Sequence, residues 1–163
     1  MTKKISTYAL LACVCLIFGY IESLVPLTAA IPGIKLGLSN SVALLLLTKR
    51  DIKGALAVNI TRILLSALLF GSPFSLVFSL SGALGSMAAM LLFLKVKSVS
   101  VVGLSALGGT VHNVFQLLAA FFVLGSAVKY YLPFLILAGG ISGALTGIIS
   151  ELILKKVKTN GKF

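Results

Sequence analysis

Six apolar runs follow one another along the 163-residue chain with only short polar turns between them, which leaves no stretch from which a separate soluble domain could be built. The runs are Ile5 to Val25, Gly33 to Lys49, Gly54 to Phe70, Phe74 to Leu94, Val99 to Leu124 and Tyr130 to Leu154. A helix rises 1.5 Å per residue, so about twenty residues cross the ~30 Å hydrocarbon core of a bilayer; the second and third runs, at about 25 Å, sit at the short limit. With 59% apolar residues, 10% charged residues and a mean hydropathy of +1.16, the chain also lies outside the composition of soluble domains. The expected fold is therefore all-α and integral to the membrane, one domain of six transmembrane helices over residues 1–163.

The first run follows Lys3 and Lys4 and so has the outline of a secretory signal. Its apolar part is long enough to span, and the nearest small-residue site, Thr28 and Ala30, lies beyond Pro26, so it reads as a retained first span. Lys3, Lys4, Lys49, Arg50, Lys53, Lys95, Lys97, Lys155, Lys156, Lys158 and Lys162 fall on one side of the six runs, against Lys35 and Lys129 on the other. Because positive loops stay on the cytoplasmic face, both termini are expected in the cytoplasm, and the compartment is a bacterial plasma membrane crossed several times. The same clustering accounts for the net charge of +11: short basic turns between apolar runs orient a membrane protein rather than forming a stripe that reads phosphates.

Small residues recur at helical spacing, with Ser79, Gly82, Ser86 and Ala89 on one face of the fourth run and Gly139, Gly143 and Gly147 on one face of the sixth. Such faces let helices approach closely, either inside the bundle or against another membrane subunit. Cys13 and Cys15 are two apart in the first run and point in different directions, so neither a disulfide nor a metal pair is expected of them.

An ionisable side chain at the bilayer centre costs roughly 3 kcal/mol unless it finds a partner or water, so the few polar residues in the runs are the candidate site. Glu22 ends the first run, and a loop carrying Lys35 leads to Asn40, which puts an acid, a base and an amide at one membrane boundary. Arg62 stands mid-run and must face the bundle interior; its partner is either Glu22 or an anionic group on a ligand, which its planar donor fork would suit. His112 and Gln116 are four apart with Asn113 beside them, a polar stripe that reads as an interhelical network or as a ligand wall. Asn59 completes the set, and Glu151, four residues before Lys155, is expected to make an ordinary i,i+4 ion pair with no site role.

Catalytic signatures are absent from the sequence. There is no G-x-x-x-x-G-K-[ST] run to hold nucleotide phosphates, and one His with two helix-borne Cys makes no zinc site. Asp51 is the one aspartate, so the paired acids that hold magnesium on a diphosphate are missing.

The segments YIESLVP, IPGIKLGLSN, FSLSGALGSM, SALGGTVHNVFQLLAA and YLPFLILAGGISGALTG, in that order and with Arg62 among them, resemble the Gx transporter family, also labelled heptaprenyl diphosphate synthase component I. That family is grouped with the S components of energy-coupling factor (ECF) transporters. The resemblance implies a six-helix, non-catalytic subunit that captures a small, anionic or vitamin-like solute from outside, with an ECF membrane coupling subunit and ATPases in trans. On this reading Glu22, Lys35, Asn40, Arg62, His112, Asn113 and Gln116 line or support the pocket, with no metal or cofactor. S components commonly present an Ala-x-x-x-Ala face on the first helix to the coupling subunit; here the nearest equivalent is Ala9 with Cys13. The alternative is an accessory membrane subunit in isoprenoid or quinone metabolism or in membrane redox chemistry.

Overall fold

A computed structural model describes residues 2–24, 37, 39–96 and 98–159. The described residues form α1 (Thr2–Leu24), α2 (Asn40–Thr48), α3 (Ile52–Phe70), α4 (Pro73–Phe93), α5 (Val101–Leu124), a 3-10 helix (Ser126–Tyr131) and α6 (Leu132–Thr159). Five helical segments are long and apolar enough to cross a membrane. The second expected span is where the structure departs from the sequence reading. Gly37 takes φ +76°, in the left-handed region, its carbonyl accepts from the Asn40 N–H at 2.8 Å, and α2 begins only at Asn40. Its nine residues rise about 14 Å, half of a hydrocarbon core, so among the described residues five full-length segments and one half-length helix stand where six spans, the second and third of them short, are expected.

Local chemistry fixes where the other helices start. Asp51 caps α3 by accepting from the Gly54 N–H at 3.0 Å, after Arg50 has turned the chain with φ +60°. Ser72 and Ser75 cap α4 reciprocally, with Pro73 in the first turn where its missing N–H costs nothing. Ser100 accepts from Gly103 N–H at 3.0 Å to start α5, and Gly125, at φ +84°, ends it.

Helices α2, α3, α4, α5 and α6 pack in that order into a ring, which α2 closes by touching both α3 and α6. Helix α1 leans on the outside of α3 with a lesser contact to α2. The tightest seam joins α5 and α6. A Cβ on Gly139 would sit 2.6 Å from the carbonyl oxygen of Gly109, and one on Gly147 would sit 2.7 Å from Val102 Cα, so the glycine stripe of the sixth run is consumed in packing inside the bundle. Gly82 and Ser86 are likewise buried, with Gly82 under His112 of α5.

Contacts also sort the charges by end. Tyr8 donates to Asp51 Oδ2 at 2.6 Å, which ties the start of α1 to the α2–α3 turn. That hydrogen bond, with the one from Gly54 and the nearby Lys4, holds the Asp51 carboxyl below the usual carboxylate range against a smaller opposing effect of burial. Leu44, Leu47, Ala55, Met87, Met90 and Leu104 form a core cluster with Leu94, Val99 and Val101 against it, so the α2–α3 and α4–α5 turns share this end. Lys4, Lys49, Arg50, Lys53, Lys95, Lys155 and Lys156 therefore gather there, and Lys129 is at the other. The expected i,i+4 pair is present, with Lys155 Nζ 2.8 Å from Glu151 Oε1.

Candidate functional site

Above that apolar cluster, toward the end away from the basic turns, the ring encloses a cavity of about 240 Å3. It reaches exposed Phe70 and Gly71. Six of the seven expected site residues line it: Glu22 from α1, Asn40 from α2, Arg62 from α3, and His112, Asn113 and Gln116 from α5. Lys35 lies outside the described residues.

Arg62 occupies the centre of the polar wall. Its Nη1 donates to Ser39 Oγ at 2.8 Å, and its Nη2 donates to Asn40 Oδ1 at 3.1 Å and to Asn59 Oδ1 at 2.7 Å. These acceptors are neutral, and the two amides come from different helices, so the guanidinium fastens α3 to the start of α2. The Ser39 N–H reaches Glu22 Oε1 at 3.4 Å. Carboxylate and guanidinium thus meet through Ser39 rather than as a direct pair, a third arrangement beside the two that the sequence suggested. Arg62 Nε is buried and makes no hydrogen bond to protein. Three of the five guanidinium N–H donors are engaged, and the positive charge itself is met by dipoles instead of a carboxylate in contact.

The α5 stripe does two things at once. Asn113 is buried and its Nδ2 donates to the Leu135 carbonyl at 2.8 Å, an interhelical bond, yet the residue also lines the cavity. The His112 ring lies against α4 where Gly82 makes room, since a Cβ there would come within 2.9 Å of it. The network and ligand-wall readings of this stripe are therefore compatible.

Sequence reasoning missed the hydroxyls. Ser39, Ser66, Ser75, Ser79 and Ser142 also line the cavity. Their signal was spacing: Ser66 is four residues from Arg62, and Ser75 and Ser79 are four apart, each on a cavity-facing stripe. A smaller chamber of about 40 Å3 shares Gly37, Asn40, Gly109 and Ser142 with the first and continues toward the basic end between Asn59, Ser86, Ser105 and Thr146. On the outer surface, Ala9 and Cys13 are exposed, whereas Ala12 and Cys15 are buried. Among the described residues no cluster of His, Cys, Asp and Glu could hold a metal ion.

The arrangement can hold a small polar molecule by many weak hydrogen bonds around one fixed cation. No curated protein and no solved structure matches the chain. The family model for heptaprenyl diphosphate synthase component I matches residues 11–153, a segment that contains the whole described cavity wall. The chain belongs to the heptaprenyl diphosphate synthase component I family.

Proposed function

We propose that this membrane protein is a non-catalytic solute-binding subunit of the ECF S-component type, which captures a small molecule at the end of the bundle away from its basic turns. The observation that carries this reading is the convergence of Glu22, Asn40, Arg62, His112, Asn113 and Gln116, from four helices, on one cavity of about 240 Å3. Polar side chains spread through a bundle for packing alone would pair off locally; here they share a space. By the positive-inside rule the cavity faces outward and both termini are cytoplasmic. The chain has no nucleotide-binding run, so energy for uptake comes from a coupling subunit and ATPases in other chains. The exposed Ala9 and Cys13 face of α1 is where the coupling subunit would approach, and Lys35, outside the described residues, is a further proposed contact to the solute.

A second reading has the family's own description behind it: a "component I" implies a companion, so the chain would be an accessory membrane subunit in isoprenoid or quinone metabolism or membrane redox chemistry. Purification in gentle detergent, with mass spectrometry of the co-isolated proteins, separates the two. Recovery of a transporter membrane subunit with ATPases, reduced by Ala9→Trp, is the expected result. Recovery of an isoprenoid-synthesis enzyme or redox protein without them would overturn it.

A further inference from the structure

The cavity wall also says what kind of solute fits. Among the described residues that line the cavity, hydroxyls, amides and charged groups outnumber apolar side chains, and glycines make up much of the remainder. Among the described residues two rings line it, and both are already packed: Phe70 lies on Tyr20 at 5.4 Å between centroids, and the His112 imidazole lies against Gly82 of α4. Other rings lie on the outer surface, with Phe74, Phe122, Phe134 and Tyr130 all more than half exposed. The chain has no Trp, and the sequence between Val25 and Lys35 has no Phe or Tyr, so the segment between α1 and α2 adds no ring to those two at the site. A flat heterocycle recognised by stacking needs rings on its faces. A prenyl chain needs a long apolar tunnel. Among the described residues this wall supplies neither an unpacked ring nor such a tunnel, and the cavity volume lies below the ~300–1,000 Å3 of sites for drug-sized ligands.

Resting on the solute-binding reading above, we infer that the ligand class is a compact, non-aromatic, hydrogen-bond-rich solute, a small hydroxylated acid or an amino acid with a hydroxyl or amide side chain, seated beside Arg62 and ringed by serines and amides. The Ser79 hydroxyl on α4 and the Gln116 amide on α5 meet its polar substituents across the cavity. The smaller chamber beyond Asn40 has the volume for a water or one small substituent. Because Arg62 is already held by three acceptors, it acts as a fixed positive centre that the solute approaches.

The test uses the full chain in lipid nanodiscs. Small molecules released on denaturation are weighed, and thermal stabilisation is measured with gluconate, threonine and glutamine, then with riboflavin and thiamin, then with farnesyl diphosphate. We expect a released compound without aromatic absorbance, stabilisation by a member of the first set, and roughly three- to tenfold weaker binding of it in Gln116→Leu, which keeps the residue's size and removes its hydrogen bonds. Ser79→Ala serves as the milder companion should Gln116→Leu fail to fold. A flat heterocycle or a prenyl compound, released or stabilising where the first set does not, would overturn the inferred class and leave the pocket as a binding site. Nothing released and no probe bound would overturn the class together with the solute-binding reading.

Discussion

Helices α5 and α6 meet backbone to backbone, whereas α1 is tied to α3 and its leading turn by side chains such as Tyr8 on Asp51 and Tyr20 on Phe70, and the two contacts give the cavity two different walls. On the α5–α6 side, glycine backbones leave no room for a methyl group, so His112, Asn113 and Gln116 are carried on an element that has nowhere to move. On the other side, α1 exposes Ile5, Leu10, Ile17 and Leu24 and buries little beyond Ala12, Cys15 and Glu22. Few buried side chains mean low local stability. The acid therefore sits on the part of the wall that is easiest to displace, and the amides on the part that is hardest.

The strongest way to break this contrast is Gly109→Val. Its added carbons would meet the Gly139 carbonyl, so α5 and α6 must separate along their length. We expect a loss of at least about 3 kcal/mol, the upper end for overpacking, read by reversible unfolding in mixed micelles. A loss below about 1 kcal/mol would show that the seam is softer than its geometry.

A double-mutant cycle of Arg62→Ala and Glu22→Gln sharpens the same contrast. Removing Arg62 strips Ser39, Asn40 and Asn59 of a shared donor and should cost roughly 3 kcal/mol. Since the guanidinium and carboxylate meet through Ser39, the coupling energy should stay under about 1 kcal/mol. Coupling well above that would mean a direct ion pair, and α1 would then be bound to α3 as firmly as α6 is to α5.

Tyr8→Phe gives the smallest effect. It removes the hydrogen bond that moors the start of α1 and should lower the melting temperature slightly. The sign of its pH dependence follows from Asp51. Because folding favours the ionised carboxyl, its contribution is complete above the ordinary carboxylate range and is lost as pH falls through the lowered folded value. Without Tyr8 that value moves back toward the unfolded one, so the stability lost through this group on acidification should be smaller than in the parent and complete at a higher pH. An unchanged acid limb would place the mooring elsewhere.

The long segments, and the six expected residues that line the cavity, stand out in the sequence for one reason: a charged or amide side chain inside an apolar run has to be accounted for. Arg62 announced itself by its cost, but its partners did not. They depend on the positive φ at Gly37, which delays α2 until Asn40 and brings Ser39 and Asn40 beneath the guanidinium. The serines were marked by their spacing alone, a faint signal, since a hydroxyl in a membrane helix is cheap and has many bland explanations. Tyr8 and Asp51 lie far apart in sequence, and nothing local links them.

The half-length α2 has an electrical consequence. Its nine residues run from the basic turn up to Asn40, which puts the Arg62 cluster about 14 Å from that end and roughly midway through a ~30 Å hydrocarbon core. In the proposed orientation, a charged solute reaching Arg62 from outside has crossed part of the membrane potential. A whole crossing is worth about 2.3 kcal/mol per unit charge per 100 mV, so half of it is worth about 1 kcal/mol. With the cell interior negative, an anion would be held several-fold more weakly in energised cells than in detergent, a zwitterion would be indifferent, and occupancy of the site would carry a record of the voltage across the membrane around it.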